Sequence, residues 1–296
     1  MSGTLIIIFT GMLAAASCSL LGSFLILRRM SMLGDAISHA VLPGIALAFL
    51  FSNSRHPLPM LIGAGALGLI TAFITETLHR AGRVQQDASI GVTFTWLFAI
   101  GVILISAYAG HVDLDQECVL YGEIAYVPWD TWIIGRTSLG PRALWLLGGV
   151  FLLDLLFVVF CYKELKLTTF DPQLAHSVGI STRLFHYLLM GAVSLTTVAA
   201  FESVGAILVV AMLVAPAATA YLLTDRLSTM LILAMVIGAL CSVFGYFMAH
   251  ALDASIAGAM ATVAGIFFAA AFLFAPRHGL VTRRFLGRFT IPAERA

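Results

Sequence analysis

Repeated apolar stretches, each about as long as a lipid bilayer is thick, constrain this chain more than any other feature of its sequence. A helix needs roughly 20 apolar residues to cross about 30 Å of hydrocarbon, where every backbone polar group must be paired. We therefore predict an all-α integral membrane protein, a polytopic bundle of eight or nine helices forming one domain over residues 1–296. Nine candidate spans cover approximately residues 4–27, 32–51, 59–78, 88–108, 142–162, 185–200, 204–223, 228–250 and 255–275.

Two details of this prediction stay open in the sequence. The sixth and seventh spans are separated by little more than Glu202 and Gly205, so 185–223 fits either two spans or one broken, re-entrant arrangement. Within the second span, Pro43 and Gly44 are expected to interrupt the helix and to free backbone carbonyls.

The composition excludes several other classes of protein. Only 10% of the residues are charged, against about a quarter in a soluble domain. The four cysteines are scattered and form no C-x-x-C pair, which argues against a disulfide framework and a structural zinc site. The first apolar stretch has no basic n-region and no small-residue cleavage site, so we expect it to remain a membrane span. Nucleic-acid binding has no support, because basic residues do not cluster with aromatic ones.

The distribution of basic residues predicts which side each loop occupies. With nine spans, all but three of the 16 lysines and arginines fall on the side of the C-terminal tail, about 277–296. The exceptions are Arg55, Arg136 and Arg142. The positive-inside rule therefore places the C-terminus in the cytoplasm. The outer segment 109–141 contains five acidic residues and His111, and it is either a cation-attracting mouth or an ordinary solvated loop.

A cytoplasmic segment, about 168–182, carries complete helix start and stop signals. Asp171 followed by Pro172 is typical of an N-cap and first turn, and Gly179 is a typical stop. Leu174, Ala175 and Val178 would lie along this short helix, with Leu174 and Val178 four residues apart on one face. The pattern favours a docking element, which we call the coupling segment, over a plain loop.

The strongest candidate for chemistry is the pair Asp35 and His39. A spacing of four places the carboxylate and the imidazole on one helix face, with Cβ atoms about 6 Å apart, so both can reach one ion. Oxygen and nitrogen ligands suit manganese, iron or zinc, whereas copper(I) prefers sulfur. The alternative is a pair that bonds internally or caps the helix. Ser38 is either a hydrogen-bonding neighbour or a small packing residue.

Other ionisable residues near the membrane are weaker candidates. Glu202 lies between the sixth and seventh spans, where it would either line a pathway or face the outer solvent. His250 and Asp253 stand three apart at the outer end of the eighth span, as part of a gate or simply as a solvated helix end. Asp154 lies inside the fifth span, and we expect it to pair with a neighbouring helix.

The motifs that the sequence lacks are also informative. The two lysines, Lys163 and Lys166, do not end a G-x-x-x-x-G-K-[ST] loop, so this chain has no P-loop for ATP. Neither H-E-x-x-H nor G-x-S-x-G occurs, which leaves hydrolytic chemistry without support. We expect a non-catalytic subunit without a permanently bound cofactor.

Three stretches resemble the manganese/zinc/iron permease family of ABC transporters, the ABC-3 family. They are Gly34-Asp-Ala-Ile-Ser-His-Ala-Val-Leu-Pro-Gly44, Phe170-Asp-Pro-Gln-Leu-Ala-His-Ser-Val-Gly-Ile180 and Val204-Gly-Ala-Ile-Leu-Val-Val-Ala-Met-Leu-Val-Ala-Pro-Ala-Ala-Thr-Ala220. The stretches occur in the family's order and span nearly the whole chain. Ala220-Tyr-Leu-Leu-Thr-Asp-Arg226 is closer to the manganese branch than to the zinc branch.

The resemblance implies a type II importer permease in a bacterial cytoplasmic membrane. Asp35 and His39 match the family's intramembrane metal site, and the coupling segment matches the helix that docks on a separate ABC ATPase. The implied partners are that ATPase, a second identical or homologous permease, and an extracytoplasmic metal-binding protein. Glu202 departs from the residue expected in many relatives, so the resemblance assigns it no role.

Three other functions remain to be weighed. A gradient-driven secondary transporter would use Asp35, Glu202 and Asp154 as a proton relay, but it would leave the coupling segment unexplained. A permease for a metal chelate would need a wide aromatic-lined cavity, whereas Asp35 and His39 favour a bare ion. If the chain were instead a structural or receptor membrane protein, Asp35→Ala would leave the metal content of the cell unchanged.

Overall fold

The computed structural model describes residues 3–52, 57–82, 84–108, 124–134, 137–275 and 279. The acidic part of the outer segment, 109–123, and nearly all of the tail 277–296 lie outside these residues. The described elements, in chain order, are helices α1 (Gly3–Leu27), α2 (Leu33–Ser52), α3 (Pro57–Ala81) and α4 (Gln86–Tyr108), a 3-10 turn (Ile124–Tyr126), strands β1 (Thr131–Ile134) and β2 (Thr137–Pro141), and helices α5 (Arg142–Phe160), α6 (Tyr162–Phe170), α7 (Pro172–Ser177), α8 (Thr182–Val204), α9 (Ala206–Leu223), α10 (Leu227–Leu252) and α11 (Ile256–Phe274).

The described helices confirm the predicted fold class. Eight of them, α1, α3 to α5 and α8 to α11, are long and apolar enough to cross a membrane. At about 1.5 Å per residue, the 20-residue α2 also reaches roughly 30 Å. Gly205, with φ +83°, separates α8 from α9, so region 185–223 forms two helices of spanning length rather than one broken span.

Helix α1 lies at the centre of the bundle. It packs against α5, α8, α9 and α10, and Leu20, Leu21, Phe24 and Leu25 are almost completely buried. A helix that is apolar on every side is stable only when it is surrounded, and the sequence of α1 meets that condition. Helices α2, α3 and α4 pack together beside this core and join it through contacts of α2 and α3 with α8.

Glycines set the closest helix contacts. A Cβ on Gly44 of α2 would lie 2.5 Å from the carbonyl oxygen of Gly63 in α3, and a Cβ on Gly63 would lie 2.6 Å from the carbonyl oxygen of Gly44. Gly22 of α1 meets the backbone carbonyl of Leu213 in α9 in the same way. Small residues of this kind allow helix backbones in a membrane to approach closely.

One local prediction needs correction. Helix α2 continues from Leu33 to Ser52 with Pro43 inside it, so Pro43 and Gly44 do not interrupt the span. Proline still removes one donor, which leaves the backbone carbonyl of His39, four residues earlier, without its helical partner. Helix α6 occupies Tyr162–Phe170 and ends just before Asp171.

The start and stop signals of the coupling segment act as predicted. The Asp171 carboxylate accepts a hydrogen bond from the Leu174 amide at 2.9 Å, and Pro172 occupies the first turn of α7. Gly179 adopts φ +85°, and the Ile180 amide donates to the Ala175 carbonyl at 2.9 Å, which closes the helix.

The carboxyl group of Asp154 is buried inside the bundle. Asp154 of α5 is 0% exposed, and its Oδ2 accepts a 2.7 Å hydrogen bond from the Thr196 hydroxyl of α8. The predicted pairing of Asp154 with a neighbouring helix is therefore confirmed. A buried polar group that loses its partner costs about 1–3 kcal/mol, so this bond ties α5 to α8.

We predict that Asp154→Asn is tolerated and that Asp154→Ala is not. Asparagine keeps a side-chain oxygen that accepts from Thr196, whereas alanine leaves that hydroxyl without its acceptor and should lower the free energy of unfolding by about 1–3 kcal/mol. Thermal unfolding of the detergent-purified protein measures the difference, and Thr196→Val should resemble Asp154→Ala. Equal destabilisation by asparagine and alanine would contradict the account.

We predict that Asp171→Ala loosens α7 while Asp171→Asn does not. Loss of an N-cap costs about 1 kcal/mol, whereas asparagine caps as well as aspartate. Hydrogen exchange at the Leu174 and Ala175 amides should therefore accelerate about fivefold in the alanine variant, with the rest of the protein unchanged. Unchanged exchange in both variants would show that the cap does not hold this helix.

Candidate metal-binding site and coupling segment

Asp35 and His39, the predicted metal ligands, lie on one face of α2. They are near the start of this helix, just after the α1–α2 turn. The Nε2 atom of His39 lies 3.6 Å from Oδ1 of Asp35. This distance exceeds the usual 2.7–3.2 Å of an N–H···O hydrogen bond. The two atoms therefore lie close together without forming a hydrogen bond of normal length to each other.

The separation of these atoms suits a shared ion. Ligand oxygens and nitrogens lie about 2.0–2.2 Å from a bound zinc ion. When the ligand–metal–ligand angle is 90° to 110°, the two ligand atoms are about 3.0 to 3.4 Å apart. Asp35 and His39 are already within a few tenths of an ångström of that spacing, so they can chelate an ion with little side-chain movement.

Two phenylalanines of α4 border the imidazole. The ring centroid of His39 is 5.8 Å from that of Phe94 and 5.9 Å from that of Phe98, the second contact being edge-on. These rings restrict the orientation of the imidazole and provide an apolar wall. Ser38 does not reach the pair through its side chain, because its hydroxyl donates to the backbone carbonyl of Asp35.

The pair is open on one side. The side chains of His39 and Asp35 are 34% and 44% exposed, which is unusual for ionisable groups on a membrane helix. Among the residues that the structure describes, three or more His, Cys, Asp or Glu side chains do not come together anywhere as a potential metal site. The side chains in the described part of the chain therefore offer two ligands at this position, which is half of a tetrahedral set.

The coupling segment presents an apolar surface. Leu174 and Val178 are 48% and 65% exposed, and Phe170 beside them is also exposed, whereas Ala175 is completely buried. A group of exposed apolar residues outside the membrane-spanning helices typically marks a contact surface for another protein. The neighbouring α6 supplies the exposed Lys163 and Lys166.

The remaining candidates are not brought to the pair. Glu202, at the end of α8, forms an ion pair with Arg142 of α5 at 3.3 Å, and both side chains are substantially exposed. His250 stacks on Tyr246, while Asp253 ends α10 in a left-handed conformation, and both are exposed. A role for these three residues in the pathway or gate remains a prediction.

Sequence reasoning missed the aromatic wall and a polar group of residues near the coupling segment. Phe94 and Phe98 lie on one face of α4, four residues apart, but nothing in their local sequence indicates a partner in α2. Arg28 donates to two hydroxyls in α6, 140 residues away, a contact that only the folded arrangement reveals. The structure, and not the sequence, therefore identifies these residues.

Known proteins similar to this chain are transport subunits. The manganese transport system membrane protein MntD of Bacillus subtilis is 54% identical over 290 residues, covering 98% of each chain. The zinc transport system membrane protein TroD of Treponema pallidum is 45% identical, covering 95% of this chain and 76% of that protein.

A solved structure is similar over the same range. The structure of PsaBC from Streptococcus pneumoniae in complex with Fab matches with a TM-score of 0.77 and 33% identity, covering 98% of this chain and 96% of that one. The ABC 3 transport family matches residues 4–275. This multi-pass bacterial membrane protein therefore belongs to the ABC 3 transport family.

Proposed function

We propose that this chain is the permease subunit of an ATP-binding-cassette importer that moves a divalent transition metal across the bacterial cytoplasmic membrane. The observation that carries the proposal is the open Asp35 and His39 pair, 3.6 Å apart on a membrane helix of an ABC 3 family chain. Manganese is the first candidate, because the relative that is 54% identical is named for manganese. Zinc and iron are the alternatives, because other relatives are named for those metals.

In this proposal the metal is cargo and no cofactor is permanently bound. Asp35 binds as a carboxylate and His39 as a neutral imidazole, because metal ligands must be deprotonated. The Phe94 and Phe98 rings keep the imidazole oriented and limit access of water from the α4 side. The ion is held by few protein ligands, which favours release during transport over permanent retention.

A second permease supplies the rest of the site. Two ligands do not complete the coordination of zinc, which takes four, and the open side of the pair would otherwise expose ionisable groups within the membrane. A second identical or homologous subunit placed against this face covers the pair and contributes ligands. The proposed single domain, 1–296, then functions as one half of the membrane pathway.

The energy for transport comes from a separate ABC ATPase. This chain has no P-loop, and we assign it no catalytic activity. The apolar coupling segment, between the Asp171–Pro172 start and the Gly179 stop, docks on that ATPase through the exposed Leu174 and Val178, while the buried Ala175 packs beneath them. ATP binding and hydrolysis there alternate access to the metal site, which an extracytoplasmic metal-binding protein loads from outside. The C-terminus lies in the cytoplasm.

We predict that Asp35→Ala and His39→Ala each reduce uptake of radiolabelled manganese about tenfold or more, since even outer-shell changes at metal sites cost 10–100-fold. The assay uses cells that contain the complete transporter, with zinc and iron tested in parallel. The matched control is Asp87→Ala, which removes an exposed carboxylate from the first turn of α4.

Immunoblots of the membrane fraction check that every variant is present in equal amount. Loss of uptake in both variants and normal uptake in the control supports a shared ion site. If the Asp35 and His39 variants transport at the wild-type rate, the pair is structural and the proposed site is wrong.

A further inference from the structure

A polar group of residues joins four helix ends on the side of the coupling segment. Arg28 follows the last residue of α1, and its Nε donates to the Thr169 hydroxyl at 3.1 Å. Its second guanidinium nitrogen donates to the Thr168 hydroxyl at 3.0 Å. One side chain therefore binds two adjacent threonines in the last turn of α6.

The threonines are placed to accept these bonds. Thr168 is 7% exposed, and its own hydroxyl proton is directed at the Leu165 carbonyl at 3.2 Å, so its lone pairs face Arg28. A guanidinium presents several donors in a rigid fork, which matches two neighbouring acceptors better than the single point charge of lysine.

An acidic residue interacts electrostatically with the arginine. Burial lowers the pKa of Arg28 to about 10, and the nearby Glu76 carboxylate of α3 acts in the opposite direction. Glu76 also lies 3.5 Å from Nε2 of His186 in α8, with both side chains close to nine-tenths buried. Arg28 is thus bonded to α6 and interacts electrostatically with Glu76 of α3, which in turn lies beside His186 of α8.

The chain on either side of this contact leads directly to the two functional elements. After Arg28, the backbone turns sharply at Arg29, with φ +60°, and is fixed by the Met30 amide donating to Leu25 at 2.8 Å. Helix α2 begins at Leu33, and Asp35 lies in its first turn. On the other side, Thr169 is followed within two residues by Asp171, the N-cap of α7.

We infer that Arg28 is a positioning residue that passes displacement of the coupling segment to the metal-binding helix. A movement of α7 pulls on α6, the Arg28 fork transmits it to the α1–α2 turn, and the turn shifts Asp35 and His39. Arg28 does not touch the metal. This inference rests on the proposed function, because it assigns a task within ATP-driven metal transport.

A purely structural arginine and a coupling arginine give different measurements. If Arg28 only holds the bundle together, its loss lowers ATP hydrolysis and uptake together, in proportion to the folded complex that remains. If it couples the two elements, the ATPase continues to work while less metal crosses for each ATP hydrolysed. The ratio of metal imported to ATP hydrolysed is therefore the decisive quantity.

The test uses proteoliposomes containing the complete complex, with radiolabelled manganese as the probe. We expect Arg28→Gln to lower the ratio of manganese imported to ATP hydrolysed about tenfold, the scale of a lost hydrogen bond to a charged group. Arg28→Lys should retain part of the ratio through one bond. The matched control, Arg29→Gln, removes the exposed neighbouring arginine and should leave the ratio unchanged.

The isosteric double variant Thr168→Val and Thr169→Val removes the acceptors and keeps Arg28. It should lower the ratio as Arg28→Gln does, and adding Arg28→Gln to it should cause little further loss, because the residues act through one contact. A wild-type ratio in either Arg28→Gln or the threonine double variant overturns the inference. If Arg28→Gln does not assemble, the threonine variant alone decides. Failure of the wild-type complex to import metal would instead overturn the proposed function.

Discussion

The absence of water within the bilayer is the constraint on which the rest of this structure depends. Each backbone group in the hydrocarbon must be satisfied by its own segment, so the chain folds into helices that must then pack without a large hydrophobic driving force. Close contacts such as Gly44 with Gly63 and Gly22 with Leu213 provide that packing. Buried serines and threonines are common in the described part of this bundle, but few ionisable side chains lie inside it.

Those few ionisable positions differ in how far they are enclosed by the bundle. Asp154 is enclosed and bonded to Thr196, and Arg28 is bonded to two threonines and interacts electrostatically with Glu76. Asp35 and His39 instead stand open, at a separation that suits a shared ion better than a mutual hydrogen bond. The enclosed groups hold helices together, whereas the open pair is the site proposed to accept an ion.

Sequence reasoning succeeded where the signal is local. Apolar length identified the spans, the fourfold spacing placed Asp35 and His39 on one face, and the Asp171, Pro172 and Gly179 signals marked the ends of α7. It failed at Pro43, because the rule that proline breaks a helix is local, whereas α2 runs on through Pro43 and packs closely against α3 at the adjacent Gly44.

The contacts of Arg28 with α6 and of His39 with the α4 rings could not be predicted for a different reason. Each joins segments far apart in the chain, and their partners, Thr168, Thr169, Phe94 and Phe98, are ordinary residues for membrane-adjacent helices. Only the tertiary arrangement brings them together. The sequence thus located the helix with the proposed metal ligands and the coupling segment, and the structure supplied the contact of Arg28 with α6 that lies between them in space.

The central claim is that this chain forms an ATP-driven path for a divalent metal, and its most direct test is manganese uptake into proteoliposomes containing the complete complex. Ionophores would be present to abolish ion and proton gradients. The account predicts uptake that requires ATP on the ATPase side and persists without any gradient. Uptake that proceeds without ATP and follows an imposed proton gradient would contradict it and would identify a secondary transporter instead.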